Sequence, residues 1–360
     1  MQTSKNYLFN YLANELRPMF KRQYLREDIG AAIAVAFVAI PLSLAVALAT
    51  GVAPQVALIS AVIGGILGAV FGGSRLGITG PAVAMSVLLA GVLQDFGFAG
   101  LLIVGLICGL LQISLGILKL GRIAKYIPLS LVLAFTAGIG FLLFFEQLPY
   151  AFQIAGQTNN TITQTYSNLH LYAHHVSSAG FGLAALTIAI LTIVPRFLPR
   201  AYAFFFAVLI PMTLAHVTNI SVATVGMLPH DIFHPTVIDF NLINDWPKLA
   251  LTGLEVFILA SLETLLSLSA VDLMGKGDLH NPSQELIGQG VANIGVALFG
   301  GIPVSGIVAR SSVNVLAGAK TRRAAIFHAL IILIVVYCVP QVIEMMPVAV
   351  LSGILIAAAF

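Results

Sequence analysis

Twelve apolar runs follow one another along the 360 residues, at about 29–50, 54–71, 81–93, 98–118, 127–145, 179–195, 201–217, 249–271, 284–299, 303–317, 324–339 and 347–360. One helical bilayer crossing takes ~20 predominantly apolar residues, so twelve crossings use most of the chain and leave only connections. Charged residues are 9% of the chain and hydrophobic ones 59%, too few charges to cover a water-facing surface. Within lipid every backbone polar group needs an internal partner, which a helix supplies from its own segment. The sequence therefore predicts an all-α polytopic membrane protein.

The 17 Lys and Arg against 14 Asp and Glu are sorted by position. Arg17, Lys21, Arg22 and Arg26, then Lys119, Arg122 and Lys125, then Arg196 and Arg200, then Lys276, then Lys320, Arg322 and Arg323 occupy alternate connections. The connection 146–178 has no Lys or Arg, and 218–248 has only Lys248. The positive-inside rule then puts the basic connections and the N-terminus in the cytoplasm, in a multi-pass protein expected in a bacterial inner (plasma) membrane. The net charge of +3 reports orientation, and no nucleic-acid partner is implied. Residues 1–27 interleave basic residues with Tyr7, Leu8, Phe9, Tyr11, Leu12 and Leu16, the pattern of an interfacial segment lying on lipid, ahead of a transport domain at 28–360. No signal-type cleavage site precedes the first span, which is expected to be retained. Cys108 and Cys338 each sit in an apolar run, so no disulfide is expected.

Two runs are too short. Pro81 to Leu93 reaches about 20 Å at 1.5 Å per residue, against a hydrocarbon core of ~30 Å, and Pro303 to Ala317 is hardly longer. Each opens with a proline after a glycine-rich approach, Gly77-Ile78-Thr79-Gly80-Pro81 and Gly300-Gly301-Ile302-Pro303, which suits the first helical position after extended backbone. Both helices are thus predicted to start at mid-depth, where free N–H groups and the positive end of a helix dipole suit an anion. A pair of half-helices at corresponding places in the two halves is the pattern of inverted-repeat transporters.

The run Pro41 to Pro54 (PLSLAVALATGVAP), followed by Gly72-Gly73-Ser74-Arg75 and Thr79-Gly80-Pro81, resembles the first three spans of the SulP (sulfate permease) anion transporters, solute carrier family 26. Gly300 to Asn314 resembles that family's tenth span, and Leu262 to Ser267 its eighth. The resemblance implies a fold of seven plus seven inverted helices. Spans 1–4 and 8–11 form a moving core, and 5–7 with 12–14 form a gate. It also implies an anion held between the starts of the third and tenth helices, a STAS domain after the last helix, and a homodimer of the full-length protein. About twelve spans are present up to Phe360, so the last two gate helices and the STAS domain are expected to be absent.

Candidate substrate-binding residues are Ser43 in the first span, Gly80, Pro81, Ala82 and Val83 at the third, and Pro303, Ser305, Gly306, Ala309 and Arg310 at the tenth. Arg310, placed two turns into its span, needs a partner, for which a bound anion and Glu263 are the candidates. Ser311, Ser312 and Asn314 could donate to an oxyanion or serve as packing glue. Glu263 is an intramembrane carboxylate, costly in lipid and expected to be the ion-coupling site. Glu255 is expected at the outer rim, and Asp272 and Asp278 in water. His174, His175, His230 and His234 fall in outward connections without further ligands at metal spacing, and His328 reads as a helix-end residue. No metal and no cofactor is expected beyond a coupling H+ or Na+.

The expected function is secondary active transport of a small anion (bicarbonate, sulfate, chloride or a dicarboxylate) by alternating access, with membrane lipid as the other partner. Alternatives are a nucleobase/proton symporter of the same fold and a passive anion channel. A base-binding site wants an acceptor at the tenth span and an anion site wants a cation; Arg310 favours the anion. A serine hydrolase built on Ser305 and His328 lacks supporting motifs, so no enzyme is expected.

Overall fold

The computed structural model describes residues 22–121, 129–153, 177–229, 232–274 and 279–359. The N-terminal segment before residue 22, most of the connection 146–178, and Arg122, Lys125, His174, His175, His230, Lys276 and Asp278 lie outside them. The elements are α1 (Leu25–Thr50), α2 (Pro54–Phe71), β1 (Thr79–Gly80), α3 (Val83–Ile117), α4 (Leu129–Ala151), α5 (Ser178–Ile193), α6 (Arg200–Val217), α7 (Trp246–Met274), α8 (Pro282–Leu298), β2 (Ser305–Gly306), α9 (Val308–Leu316), α10 (Arg323–Cys338), α11 (Pro340–Glu344) and α12 (Val348–Ala359). Six helices among the described residues are long and apolar enough to cross a membrane.

Local chemistry explains the breaks. α1 ends at Gly51 in the left-handed region (φ 78°), where a residue without Cβ is unstrained, and Pro54 opens α2. The third and fourth spans run on as α3, kinked at Gly97 (φ 64°), so the third-span part is a half-helix. Its counterpart α9 has nine residues.

The chain approaches both half-helices in extended form, and the two approaches pair. β1 and β2 are antiparallel, with Thr79 opposite Gly306 and Gly80 opposite Ser305. The Ile307 N–H donates to the Ile78 carbonyl at 3.0 Å, continuing the ladder, and the Ile78 N–H donates to Ser311 Oγ at 2.9 Å. Asn314 Nδ2 donates to the Leu76 carbonyl at 2.9 Å. Ser311 and Asn314 thus tie one approach strand to the other half-helix. α2 lies against this crossing through small residues: a Cβ on Gly68 would collide with the Thr79 side chain, and Gly64 faces Val304.

α8 packs on α3 and α2, α10 on α1 and α2, and α12 on α4 and α5. At one end of the bundle Asp28, fully buried, accepts from the Lys320 N–H (2.8 Å) and the Thr321 N–H (3.0 Å). It also accepts from Thr321 Oγ1 (2.7 Å) and pairs with Arg323 Nη2 (2.9 Å). Buried Arg322 donates to the Ala69 and Gly72 carbonyls at 3.0 and 2.6 Å, satisfying the end of α2. Removing one member of a buried pair leaves the other uncompensated, at a cost of ~3 kcal/mol or more. Asp28→Ala is expected to lower the thermal unfolding midpoint in detergent clearly, while replacement of exposed Arg26 leaves it unchanged.

Candidate anion site

Gly80-Pro81 and Pro303 hold the two approaches out of helix. A residue before proline disfavours the α region, and Pro81, having no N–H, ends the ladder. The prolines are not the first helical residues, as the sequence predicted. α3 starts at Val83 behind Ala82, and α9 at Val308 behind Ile307. The reason is the strand pairing, which keeps residues 303–307 extended past the proline. Arg310 consequently sits in the first turn of α9 rather than two turns in.

Neither half-helix has a side-chain cap. Ala82 and Ile307 occupy the N-cap positions in extended conformation and offer no acceptor. By contrast, Ser177 caps α5 by accepting from the Gly180 N–H, and Asn281 caps α8 by accepting from the Ser283 and Gln284 N–H groups. The first-turn amides of a helix have no intrahelical acceptor. At the crossing these are Val83 and Ala84 on one side and Val308, Ala309 and Arg310 on the other. The turn bonds of Met85 to Ala82 and of Ser311 to Ile307 close behind them. Two helix starts, each worth about half a positive charge, meet with donors to spare.

Arg310 lies behind them, fully buried. Its Nη2 donates to Ser43 Oγ at 3.0 Å and to the Pro81 carbonyl at 3.5 Å, while Nε and Nη1 have no hydrogen-bond partner among the described residues. A Cβ on Gly80 would collide with Nη1, so a side chain there would push the guanidinium from its present position. Of the two candidate partners, Glu263 is not the one in place: among the described residues no carboxylate makes an ion pair with Arg310. Strand β2 intervenes: Glu263 Oε2 accepts from Ser305 Oγ at 2.8 Å, and Thr264 Oγ1 accepts from the Gly306 N–H at 2.8 Å. Glu263 is half-buried and Ala309 exposed, so that side of the crossing is open while the Arg310 side is closed.

The structure brings Ser43, Gly80, Pro81, Ala82, Val83, Ser305, Gly306, Ala309, Arg310 and Glu263 to this one crossing. Pro303 is buried two residues ahead of it. Ser312 Oγ bonds the Ala309 carbonyl within its own helix. His328 is not a helix-end group: it is fully buried, its Nδ1 is 2.5 Å from the Ala325 carbonyl, and its ring faces Gly65. Asp272 is not simply solvated either, since it lies 2.6 Å from His280 Nδ1 and holds the start of the segment leading to α8. Glu255 is exposed. Among the described residues no cluster could hold a metal ion. Sequence reading missed Gln112, and also Glu285, Gln289 and Asn293, polar residues four apart in an apolar helix. That spacing was the available signal.

The sulfate permease family model matches residues 25–360. YvdB of Bacillus subtilis is 32% identical over 306 residues, covering 80% of this chain and 55% of that protein. The bicarbonate transporter BicA of Picosynechococcus is 28% identical over 310 residues, covering 79% and 52%. The chain thus spans about half the length of these curated relatives. Among solved structures, the transmembrane domain of a cyanobacterial bicarbonate transporter BicA superposes with TM-score 0.88 at 25% identity, covering 94% of this chain and 89% of that one. The murine anion transporter Slc26a9, in its inward-facing state, superposes with TM-score 0.86 at 16% identity, covering 99% and 64%. The fold is the seven-plus-seven inverted repeat of these membrane domains.

Gly80→Ala is expected to displace the guanidinium and weaken binding of an oxyanion such as sulfate ~10-fold, about 1.4 kcal/mol, in calorimetric titration of the purified protein. Unchanged affinity in a monodisperse variant would show that Arg310 does not act on the ligand.

Proposed function

This chain belongs to the sulfate permease family, and from that premise we propose that it carries out secondary active transport of a small anion by alternating access. The observation that supports this reading is the pair of uncapped helix starts with buried Arg310 behind them. Free amides in a membrane interior each cost several kcal/mol unless something accepts from them, and an anion accepts from all at once. The family and the named relatives support sulfate or bicarbonate as the cargo, with chloride and dicarboxylates meeting the same electrostatics. A nucleobase site would need an acceptor where Arg310 supplies a donor.

Glu263 is the proposed coupling site. It is half-buried, beside strand β2, and bonded to Ser305. A proton or sodium ion neutralising this carboxylate would remove the charge that opposes an anion a few ångströms away. Ser305 Oγ, committed to Glu263, then reports the coupling ion to the strand that ends at the anion.

Uptake of radiolabelled sulfate and bicarbonate into proteoliposomes tests the reading. Saturable uptake driven by an imposed proton or sodium gradient is expected. Glu263→Gln should abolish the gradient dependence while leaving anion binding, and Arg310→Ala should raise KM at least ~10-fold. Current without saturation or coupling would identify a passive channel instead. Uptake indifferent to both substitutions would remove the site.

A further inference from the structure

We propose that the ninth-span helix α8 sets the anion affinity of the crossing from behind, through Gln289 and Asn293, which position the two approach strands without touching the anion. This rests on the anion-site reading above. Glu285, Gln289 and Asn293 recur every four residues and so share one face of α8, and all are buried.

Each takes hold of a different part of the broken helices. Glu285 Oε2 accepts from the Gly73 and Ser74 N–H groups at 2.7 and 2.9 Å, at the base of the approach to β1. Gln289 Nε2 donates to Thr79 Oγ1 at 2.7 Å and to Glu285 Oε1 at 2.8 Å. Asn293 grips Val304 at both backbone groups, Oδ1 accepting from its N–H at 2.7 Å and Nδ2 donating to its carbonyl at 3.0 Å. Its amide acts as a strand partner just before β2. Asn293 Nδ2 also reaches Gln112 Oε1 (2.9 Å), whose Nε2 reaches Ser261 (3.3 Å) on α7.

The physical need is plain. A ladder of two residue pairs is far too short to hold its own register, and a slip of one residue turns every side chain to the opposite face. A slip would also move the free amides of one half-helix relative to those of the other. By binding Thr79 and Val304 from one rigid helix, α8 fixes both strands to a common frame and so fixes the spacing of the donors. Positioning of this kind acts on ligand geometry, to which affinity is steep.

The test is a double-mutant cycle on anion KM, read from sulfate and bicarbonate uptake by the full chain in proteoliposomes. Gln289→Met and Thr79→Val each keep volume and lose the shared bond. Each is expected to raise KM ~10-fold with the maximal rate within about twofold, and the double variant to match either single rather than multiply them. Thr79→Ser keeps the acceptor and should keep the original KM. Unchanged KM in both singles, or multiplicative effects, would overturn the proposal. If a volume-conserving variant does not fold, Gln289→Asn, too short to reach Thr79, takes its place: raised KM with Thr79→Ser unchanged supports the proposal, and any other result overturns it. Absence of saturable uptake by the unaltered protein would instead count against the transport reading itself.

Discussion

Everything at the centre of this protein follows from the need to partner backbone groups where no water is available. A helix meets that need alone, but two helices here stop halfway through the membrane. Their extended approaches meet it by pairing with each other, Thr79 with Gly306 and Gly80 with Ser305. The remaining edges are taken by side chains: Ser311 on Ile78, Thr264 on Gly306, Asn293 on Val304, Asn314 on Leu76. What remains is a set of first-turn amides. No side chain was placed at Ala82 or Ile307 to accept from them, although the same chain caps α5 and α8 with Ser177 and Asn281. The site consists of the donors that the scaffold leaves over.

The charges divide along the same line. At one end of the bundle, Asp28 with Arg323 and the carbonyl-bound Arg322 lock α1, α2 and α10 together, and the buried carboxylate there has its counterpart. At mid-depth the two charges are kept apart by strand β2, Arg310 behind it and Glu263 in front. An Arg310–Glu263 ion pair would have neutralised both and left an anion nothing to answer. Separation would leave each available for the mobile partner proposed for it: the anion for the guanidinium and helix starts, the coupling cation for the carboxylate.

Close packing makes this geometry possible. Gly80 leaves room for the guanidinium, and Gly68 admits the Thr79 side chain against α2. Neither position tolerates a Cβ without displacing a group that belongs to the crossing. Small residues here act by distance, letting backbone and charge approach more closely than any other residue would allow.

Hydropathy alone determined the membrane class, the twelve spans and the two short ones, because length and apolarity are properties of a contiguous segment. The Gly-Pro approaches and the residues that resemble the family pointed to the third and tenth spans, to Arg310 and to Glu263. Sequence spacing erred on how each half-helix begins, since Pro81 and Pro303 look like helix starts until a strand more than two hundred residues away pairs beside them. It left Glu263 and a bound anion as alternative partners of Arg310, a choice that depends on which side of β2 each residue occupies. His328 looked like an end residue and is interior, because its depth depends on α2 packing against it. Glu285, Gln289 and Asn293 carry a legible period of four, but only the folded chain shows what they hold. Local composition decides where a segment can reside; which donors stay free is decided by contacts between segments distant in sequence, and those exist only once the helices have packed.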